Sequence, residues 1–184
     1  MIKRITLKRK DGKIIQGILK KLDESYINKI MKFQDEIVEG LENKELYFPS
    51  KEEEFLEFIS NKGNIVGCVT EDDDLIAIGV YCKLGYDENN YGYDIGINGE
   101  ELLKVGQIES TLVKESFRGN KLQKIICELL EDIAKENGNL IMSATASPYN
   151  PYSVNTFLDL GYEIAKDKIK YGGLRRYVLV KRFS

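Results

Sequence analysis

Histidine does not occur in this sequence. Its absence excludes histidine-based catalytic triads, imidazole proton shuttles and histidine metal ligands, so any proton transfer must use Glu, Asp, Tyr, Lys, Cys or water. Cysteine is scarce: Cys68, Cys82 and Cys127 stand far apart, each among apolar neighbours. They read as buried reduced thiols, not as a disulfide framework or a zinc site, and no metal is expected. An excess of positive charge is lacking too. Against 30 acidic residues there are 27 basic ones, a net charge of −3, which provides no global field to hold a nucleic acid. No apolar run reaches the length of a signal peptide or membrane span. A cytoplasmic protein with no membrane partner is expected.

At 184 residues, 42% of them hydrophobic, the chain is long enough to bury its own core as one domain, residues 1–184. Asp11-Gly12 between Ile2–Arg9 and Lys13–Leu19 predicts an N-terminal hairpin within residues 1–22, both turn residues tolerating positive φ. Ile27, Ile30, Met31, Gln34, Ile37, Val38 and Leu41 recur at helical spacing. Ser50-Lys51-Glu52-Glu53 predicts a capping box for a second, shorter helix ending at Gly63. Ile65–Thr70 and Leu75–Leu84 predict strands. Residues 83–104, rich in Gly, Asn, Asp and Tyr, predict a long loop. Its Tyr86, Tyr91 and Tyr93 beside Asp87, Glu88 and Asp94 suit a cationic amine, though a solvated polar loop explains them equally.

Val105–Val113 predicts a strand, and Leu122, Ile125, Ile126, Leu129, Leu130, Ile133 and Ala134 form the clearest helical stripe of the chain. A further strand over Leu140–Ala146 leads to Asn150-Pro151, an N-cap followed by proline at the first helical position. Two last strands, Tyr162–Tyr171 and Arg176–Phe183, are joined through Gly172-Gly173. No internal repeat is present.

The turn before the long helix is unusual. In "VKESFRGNKLQKIICELL" (113–130) Arg118, Gly119, Asn120 and Lys121 stand where a helix ordinarily has an acidic or hydroxyl cap. Free N–H groups and the helix dipole attract an anion there, Arg118 and Lys121 add charge, and Gly119 permits close approach. A plain solvated turn is the competing reading. Neither a P-loop string nor a dinucleotide-binding glycine string occurs.

"IESTLVKESFRGNKLQKII" and "SPYNPYSVNTFLDLGYE" resemble the strand, pyrophosphate turn, helix and later helix of the GNAT superfamily of acetyl-CoA-dependent N-acetyltransferases. The resemblance implies an α/β (α+β) fold, a mixed, mostly antiparallel sheet flanked by about four helices, with residues 105–165 as the cofactor-binding core. It also implies direct transfer of an acetyl group from acetyl-CoA to a primary amine, of a small molecule or a peptide, in a ternary complex. Backbone near Leu112, Val113 and Lys114 would pair with the pantetheine arm. The amides of Arg118, Gly119, Asn120, Lys121, Leu122 and Gln123 would wrap the pyrophosphate, and Asn150 and Ser153 would lie beside the thiol end. The family usually has glycine at the position of Lys121, and glycine or alanine at that of Gln123. A left-handed Lys121 would cost about 1–2 kcal/mol, small beside the roughly 8 kcal/mol of a micromolar ligand.

An alkyl ammonium of pKa about 10.4 is only about one part in a few thousand neutral at pH 7, a handicap of roughly 4–5 kcal/mol. A base therefore matters more than an acid. Glu109 is the candidate base, expected on one strand face with Gln107, Thr111 and Val113; a salt-bridged strand glutamate is the bland reading. The tyrosine that the family often uses as acid is replaced by Phe157, leaving Tyr152 as a weak substitute. Two other readings compete: a catalytically silent acyl-CoA-binding module, and a nucleic-acid-binding domain using Lys3, Arg4, Lys8, Arg9 and Lys10 with Arg175, Arg176, Lys181 and Arg182. Acceptor, acyl chain and oligomeric state, monomer or homodimer, stay open.

Overall fold

The computed structural model describes residues 1–184. Its strands are β1 (Ile2–Lys8), β2 (Ile14–Leu22), β3 (Gly63–Thr70), β4 (Leu75–Cys82), β5 (Val105–Val113), β6 (Ile141–Ala146), β7 (Glu163–Lys170) and β8 (Leu174–Arg182). They form one eight-stranded sheet in the order β1-β2-β3-β4-β5-β6-β8-β7. Every neighbouring pair is antiparallel except β5 and β6. The four α-helices are α1 (Ile27–Glu39), α2 (Glu52–Glu57), α3 (Leu122–Glu136) and α4 (Pro151–Asp159). The expected mixed α/β architecture is therefore present.

Strand alternation sorts β4 into two faces, both buried. Ile78, Val80 and Cys82 join Ile30, Phe33, Phe55 and Phe58 of the α1–α2 side. Ala77 and Tyr81 join Ile126, Leu130 and Phe157 of the α3–α4 side. Gly79 lets α3 approach: a Cβ there would stand 2.3 Å from Ile126 Cγ2. A sheet covered on both faces needs such uninterrupted apolar strands, and β4 is buried throughout its length.

Local details depart from the sequence reading at three places. In the first hairpin only Gly12 takes positive φ (+88°), while the Asp11 carboxylate instead accepts from the Lys13 N–H and from Arg9. The cap of α2 lies one residue later than expected: Lys51 is the N-cap, and the Glu54 carboxylate accepts its N–H at 3.0 Å. Ser50 is withdrawn from that role because its N–H donates to buried Gln34. Residues 83–104 are no solvated loop. They hold two 3₁₀ turns, Tyr91–Ile95 and Gly99–Lys104, and bury Asn90, Tyr91, Ile97 and Leu102.

Candidate active site

The site is built where β5 and β6 separate. Their parallel pairing runs only from Val105↔Ile141 to Ile108↔Ala144, after which β5 stays on β4 and β6 on β8. A wedge opens between Glu109–Val113 and Thr145–Ala146. Its cause is visible in the register: between β4 and β5 the pairing jumps from Val80↔Ser110 to Tyr81↔Ile108, so Glu109 is the extra residue of a β-bulge.

The bulge corrects the expected face assignment. Gln107 Nε2 donates to Glu109 Oε2 at 2.7 Å, so those two do share a side. Past the extra residue the alternation is reset. Thr111 turns to the α3 side, where its Oγ1 accepts from Gln123 Nε2 at 3.1 Å, and Val113 packs against the core cluster of that same side.

The main chain of β5 also sorts itself. Lys114 N–H donates to Ile76 O at 2.9 Å. With the register Ile78↔Leu112 and Ala77↔Val113, antiparallel alternation commits Leu112 to β4 and aims the N–H and C=O of Thr111 and Val113 into the wedge. Of the three residues expected to offer backbone groups, Val113 does so, while Lys114 and Leu112 have theirs taken within the sheet.

The turn into α3 is the second wall. Arg118 N–H donates to Glu115 O, and Ile125 N–H to Lys121 O. Between them, the N–H groups of Gly119, Asn120, Lys121, Leu122, Gln123 and Lys124 have no acceptor within the chain. The first turn of α3 carries no acidic residue and no side-chain cap. Gly119 (φ +94°) and Lys121 (φ +58°) are both left-handed. That glycine needs no Cβ is ordinary; that Lys121 adopts this conformation is the strained case. Lys121→Gly is expected to raise the melting temperature by about 2 °C, strain relief of about 1–2 kcal/mol being partly offset by the freer unfolded chain; thermal melts of both proteins check it. Asn120 has a role the sequence did not reveal: its amide accepts from Lys8 N–H and donates to Lys8 O and Phe117 O, fastening the turn to β1.

From α4, Asn150 Oδ1 caps the helix through Ser153 N–H at 3.3 Å, and Ser153 Oγ accepts from Gln123 Nε2 at 3.0 Å. Gln123 thereby ties α3 to both β5 and α4. Tyr152 stands at the rim, 85% exposed. Phe157 is buried edge-on against Tyr162, 5.2 Å between ring centroids.

Wedge and surroundings form one cavity of about 1430 Å³. One end is lined by Arg118, Gly119, Lys121, Gln123, Asn150 and Ser153, the other by Glu53, Glu54, Glu57, Asp87, Glu88 and Glu109. Cations near the acidic end are already engaged. Lys62 approaches Glu57 and Asp87, Lys168 and Lys170 bind Asp94, and Arg176 donates to Glu45 O and Arg175 O. Asp94 is thus spent on lysines, and Tyr86 and Tyr93 are exposed residues outside the cavity lining; of the loop's aromatic and acidic residues Asp87, Glu88 and Tyr91 reach it. Burial pushes Glu109 above the usual carboxylate range, Gln107 hydrogen bonding pulling it partly back. The basic clusters near the termini are largely paired, Arg9 with Asp11, Arg175 with Asp167, Lys181 with Glu131 and Arg182 with Glu101.

Comparison with known proteins agrees with this geometry. The model of the Acetyltransferase (GNAT) family matches residues 26–162. The chain belongs to that family and is an acyltransferase. No curated protein matches the sequence. Among solved structures the fold is similar to the GNAT domain of S. lividans PAT, with TM-score 0.68 and 16% identity over 98% of this chain and 97% of the other. It is similar to yncA, described as a putative acetyltransferase from Salmonella typhimurium with its cofactor acetyl-CoA (TM-score 0.65, 13% identity, 90% and 93% covered). It is also similar to a chain of the NatC complex bound to Gag peptide and CoA (TM-score 0.70, 16% identity, 91% and 99% covered). No helix is long and apolar enough to cross a membrane.

Proposed function

We propose that residues 1–184 act as one domain that transfers an acetyl group from acetyl-CoA to a primary amine, on a small molecule or a peptide, with both substrates bound together. The observation that carries this reading is the run of unpartnered N–H groups from Gly119 to Lys124, beside Arg118 and Lys121, at one end of a cavity whose other end is acidic. A diphosphate fits those donors because it supplies acceptors to every amide and complements the helix dipole. The wedge-facing N–H and C=O of Val113 and Thr111 suit the amide-bearing pantetheine arm, which would lie along β5 as an added strand. Asn150 and Ser153 would flank that arm.

When bound, acetyl-CoA supplies an activated thioester. The chain's own contribution is acceptor handling. Carboxylates of Glu53, Glu54 and Glu88, which no lysine or arginine pairs, attract a cation, and Glu109 at the bulge takes the ammonium proton, so that the neutral amine can attack. Its raised pKa narrows the gap to an amine, which improves a base. The cavity exceeds the 300–1,000 Å³ usual for one small ligand, which supports simultaneous occupancy.

Altered glycines and a missing tyrosine are what a silent module would explain. The left-handed Lys121 turn and the cavity-lining Glu109 carboxylate support an active enzyme instead. The experiment is direct: supply acetyl-CoA with a panel of polyamines, aminoglycosides, amino acids and N-terminal peptides and follow free thiol. Amine-dependent thiol release is expected; acetyl-CoA binding without release across the panel would favour the silent module.

A further inference from the structure

With Phe157 packed in the core, the tyrosines lining the cavity are Tyr47, Tyr91, Tyr149, Tyr152 and Tyr171. Tyr47 donates its hydroxyl to Gln34 Oε1 at 2.6 Å. Tyr149 and Tyr152 are exposed at the rim. Tyr171 differs. It sits in the β7–β8 turn at φ +52°, a strained conformation for a bulky residue. Its ring stacks on Phe48, centroids 5.0 Å apart, with the Arg176 guanidinium 5.8 Å from its centroid. Its hydroxyl lies 3.0 Å from Thr145 Oγ1 and 2.5 Å from the Tyr91 hydroxyl. Thr145 is the first β6 residue past the parting from β5, so the Tyr171 hydroxyl stands at the vertex of the wedge.

Tyr91 leads onward to the base. Its backbone N–H donates to Gln107 Oε1 at 2.9 Å and Gln107 Nε2 donates to Glu109 Oε2 at 2.7 Å, while the Tyr91 hydroxyl lies close enough to Glu109 to pull that carboxyl's raised pKa partly down. Asp94, in the same 3₁₀ turn as Tyr91, is clamped by Lys168 and Lys170. The hydroxyl chain Thr145–Tyr171–Tyr91, with Glu109 beside its end, thus joins β6, the β7–β8 turn and the Tyr91–Ile95 turn to β5.

We propose that Tyr171 is the catalytic proton donor to the departing sulfur and that Tyr91 returns its proton from Glu109. This rests on the acetyl-CoA reading above. An arm entering from Gly119 along β5 toward Glu109 brings its thioester to the vertex. Glu109 first passes the ammonium proton to solvent; as the neutral amine nitrogen then bonds to the acetyl carbon, its second proton passes to the regenerated Glu109 carboxylate and the C–S bond breaks with its electron pair on sulfur. The Tyr171 O–H proton then moves to sulfur, the Tyr91 proton to Tyr171 and the Glu109 proton to Tyr91. Amine and thioester become amide and thiol, and all three residues end as they began.

The chain of hydroxyls is needed, not a lone phenol. Burial pushes Tyr171 up to about 12, partly countered by its hydrogen bonds to Thr145 and Tyr91. A proton moves uphill from such a phenol to a thiolate of ordinary pKa about 8.5. Transfer from a carboxylic acid at the far end runs downhill, so the relay restores what Tyr171 gives.

The test uses the binary complex with free coenzyme A as probe. The thiol of bound coenzyme A is titrated by its thiolate absorbance in difference spectra, for wild type, Tyr171→Phe and Tyr91→Phe, with calorimetry as the binding control. The protein's own thiols stay silent, because burial raises Cys68 to about 11 and Cys82 and Cys127 too. Tyr171→Phe is expected to raise the bound thiol's pKa by about one unit, the loss of one charge-assisted hydrogen bond, with coenzyme A affinity near neutral pH unchanged. Tyr91→Phe is expected to leave that pKa within a few tenths and to lower turnover about 10²-fold at unchanged acetyl-CoA KM. Phenylalanine keeps the Phe48 stack, so Tyr171→Phe tests the hydroxyl alone. An identical thiol pKa in wild type and Tyr171→Phe overturns the proposal. Absence of calorimetric binding in wild type is a different failure, that of the acetyl-CoA reading itself, and brings the proposal down with it.

Discussion

Glu109→Gln is expected to lower kcat/KM for acetyl transfer about 10²–10³-fold near neutral pH. The handicap to be overcome is the roughly 4–5 kcal/mol needed to free an alkyl amine of its proton at pH 7, and Glu109 is the carboxylate at the bulge where the wedge opens. The deficit has a characteristic pH dependence. Wild type gains activity as Glu109 ionises, at a pH above the ordinary carboxylate range, whereas Glu109→Gln must draw on amine already neutral in solution. Its kcat/KM should rise about tenfold per pH unit until the amine's own pKa near 10, so the two profiles converge at high pH. Stability moves the other way. A carboxyl whose folded pKa is raised lends stability that is fully present below its unfolded pKa and is lost as pH rises through the folded value. The buried charge is therefore a burden near neutrality, and Glu109→Gln should melt above wild type there and equal to it in acid. Paired pH–rate profiles and thermal melts check both signs; equal activity of the two proteins near neutral pH would remove Glu109 from the chemistry.

Val113→Pro is expected to weaken acetyl-CoA binding about 10²-fold while leaving the fold intact. Val113 lies in a non-hydrogen-bonded pair with Ala77, so its N–H is not spent on β4. Proline is tolerated in a strand where the N–H faces away from the neighbour, and the extended conformation of Leu112 suits the residue before it. What is lost is a donor to the pantetheine arm, about 1 kcal/mol, with a further 1–3 kcal/mol for the arm's carbonyl left buried and unpaired. Unchanged far-UV circular dichroism with a hundredfold weaker calorimetric affinity is the expected pair of results. Unchanged affinity would mean that the arm does not run along β5.

The legible part of the fold was the part governed by local periodicity. Leu122 through Ala134 spell an amphipathic helix whatever surrounds them, and α3 covers that stripe. Asp11-Gly12 marks the first hairpin, and Asn150-Pro151 the start of α4. The turn at Gly119 was legible because a helix start without a cap is a local chemical oddity. The bulge was not. Nothing in "GQIEST" reveals that Glu109 is an extra residue, because a bulge is a mismatch between two strands and only the partner, β4, exposes it. Simple alternation consequently put Thr111 and Val113 on the wrong face. Tyr171 was equally hidden. The sequence pattern makes it the end of a strand, and its value comes from neighbours distant in sequence, Phe48, Tyr91 and Thr145. The loop 83–104 was misjudged because its polar residues are employed internally: Asn90 caps the turn at Tyr91–Ile95 and donates to Gly85 O, and Asp94 binds two lysines.

The central claim is that the free amides from Gly119 to Lys124 grip a diphosphate. Isothermal calorimetry with coenzyme A and, separately, with pantetheine, which carries the same thiol arm but no diphosphate, tests it most directly. The account predicts one-to-one binding of coenzyme A at micromolar or better affinity, and pantetheine weaker by about 10²-fold or more. Pantetheine binding as tightly as coenzyme A, or no heat from either with folded protein, would contradict it.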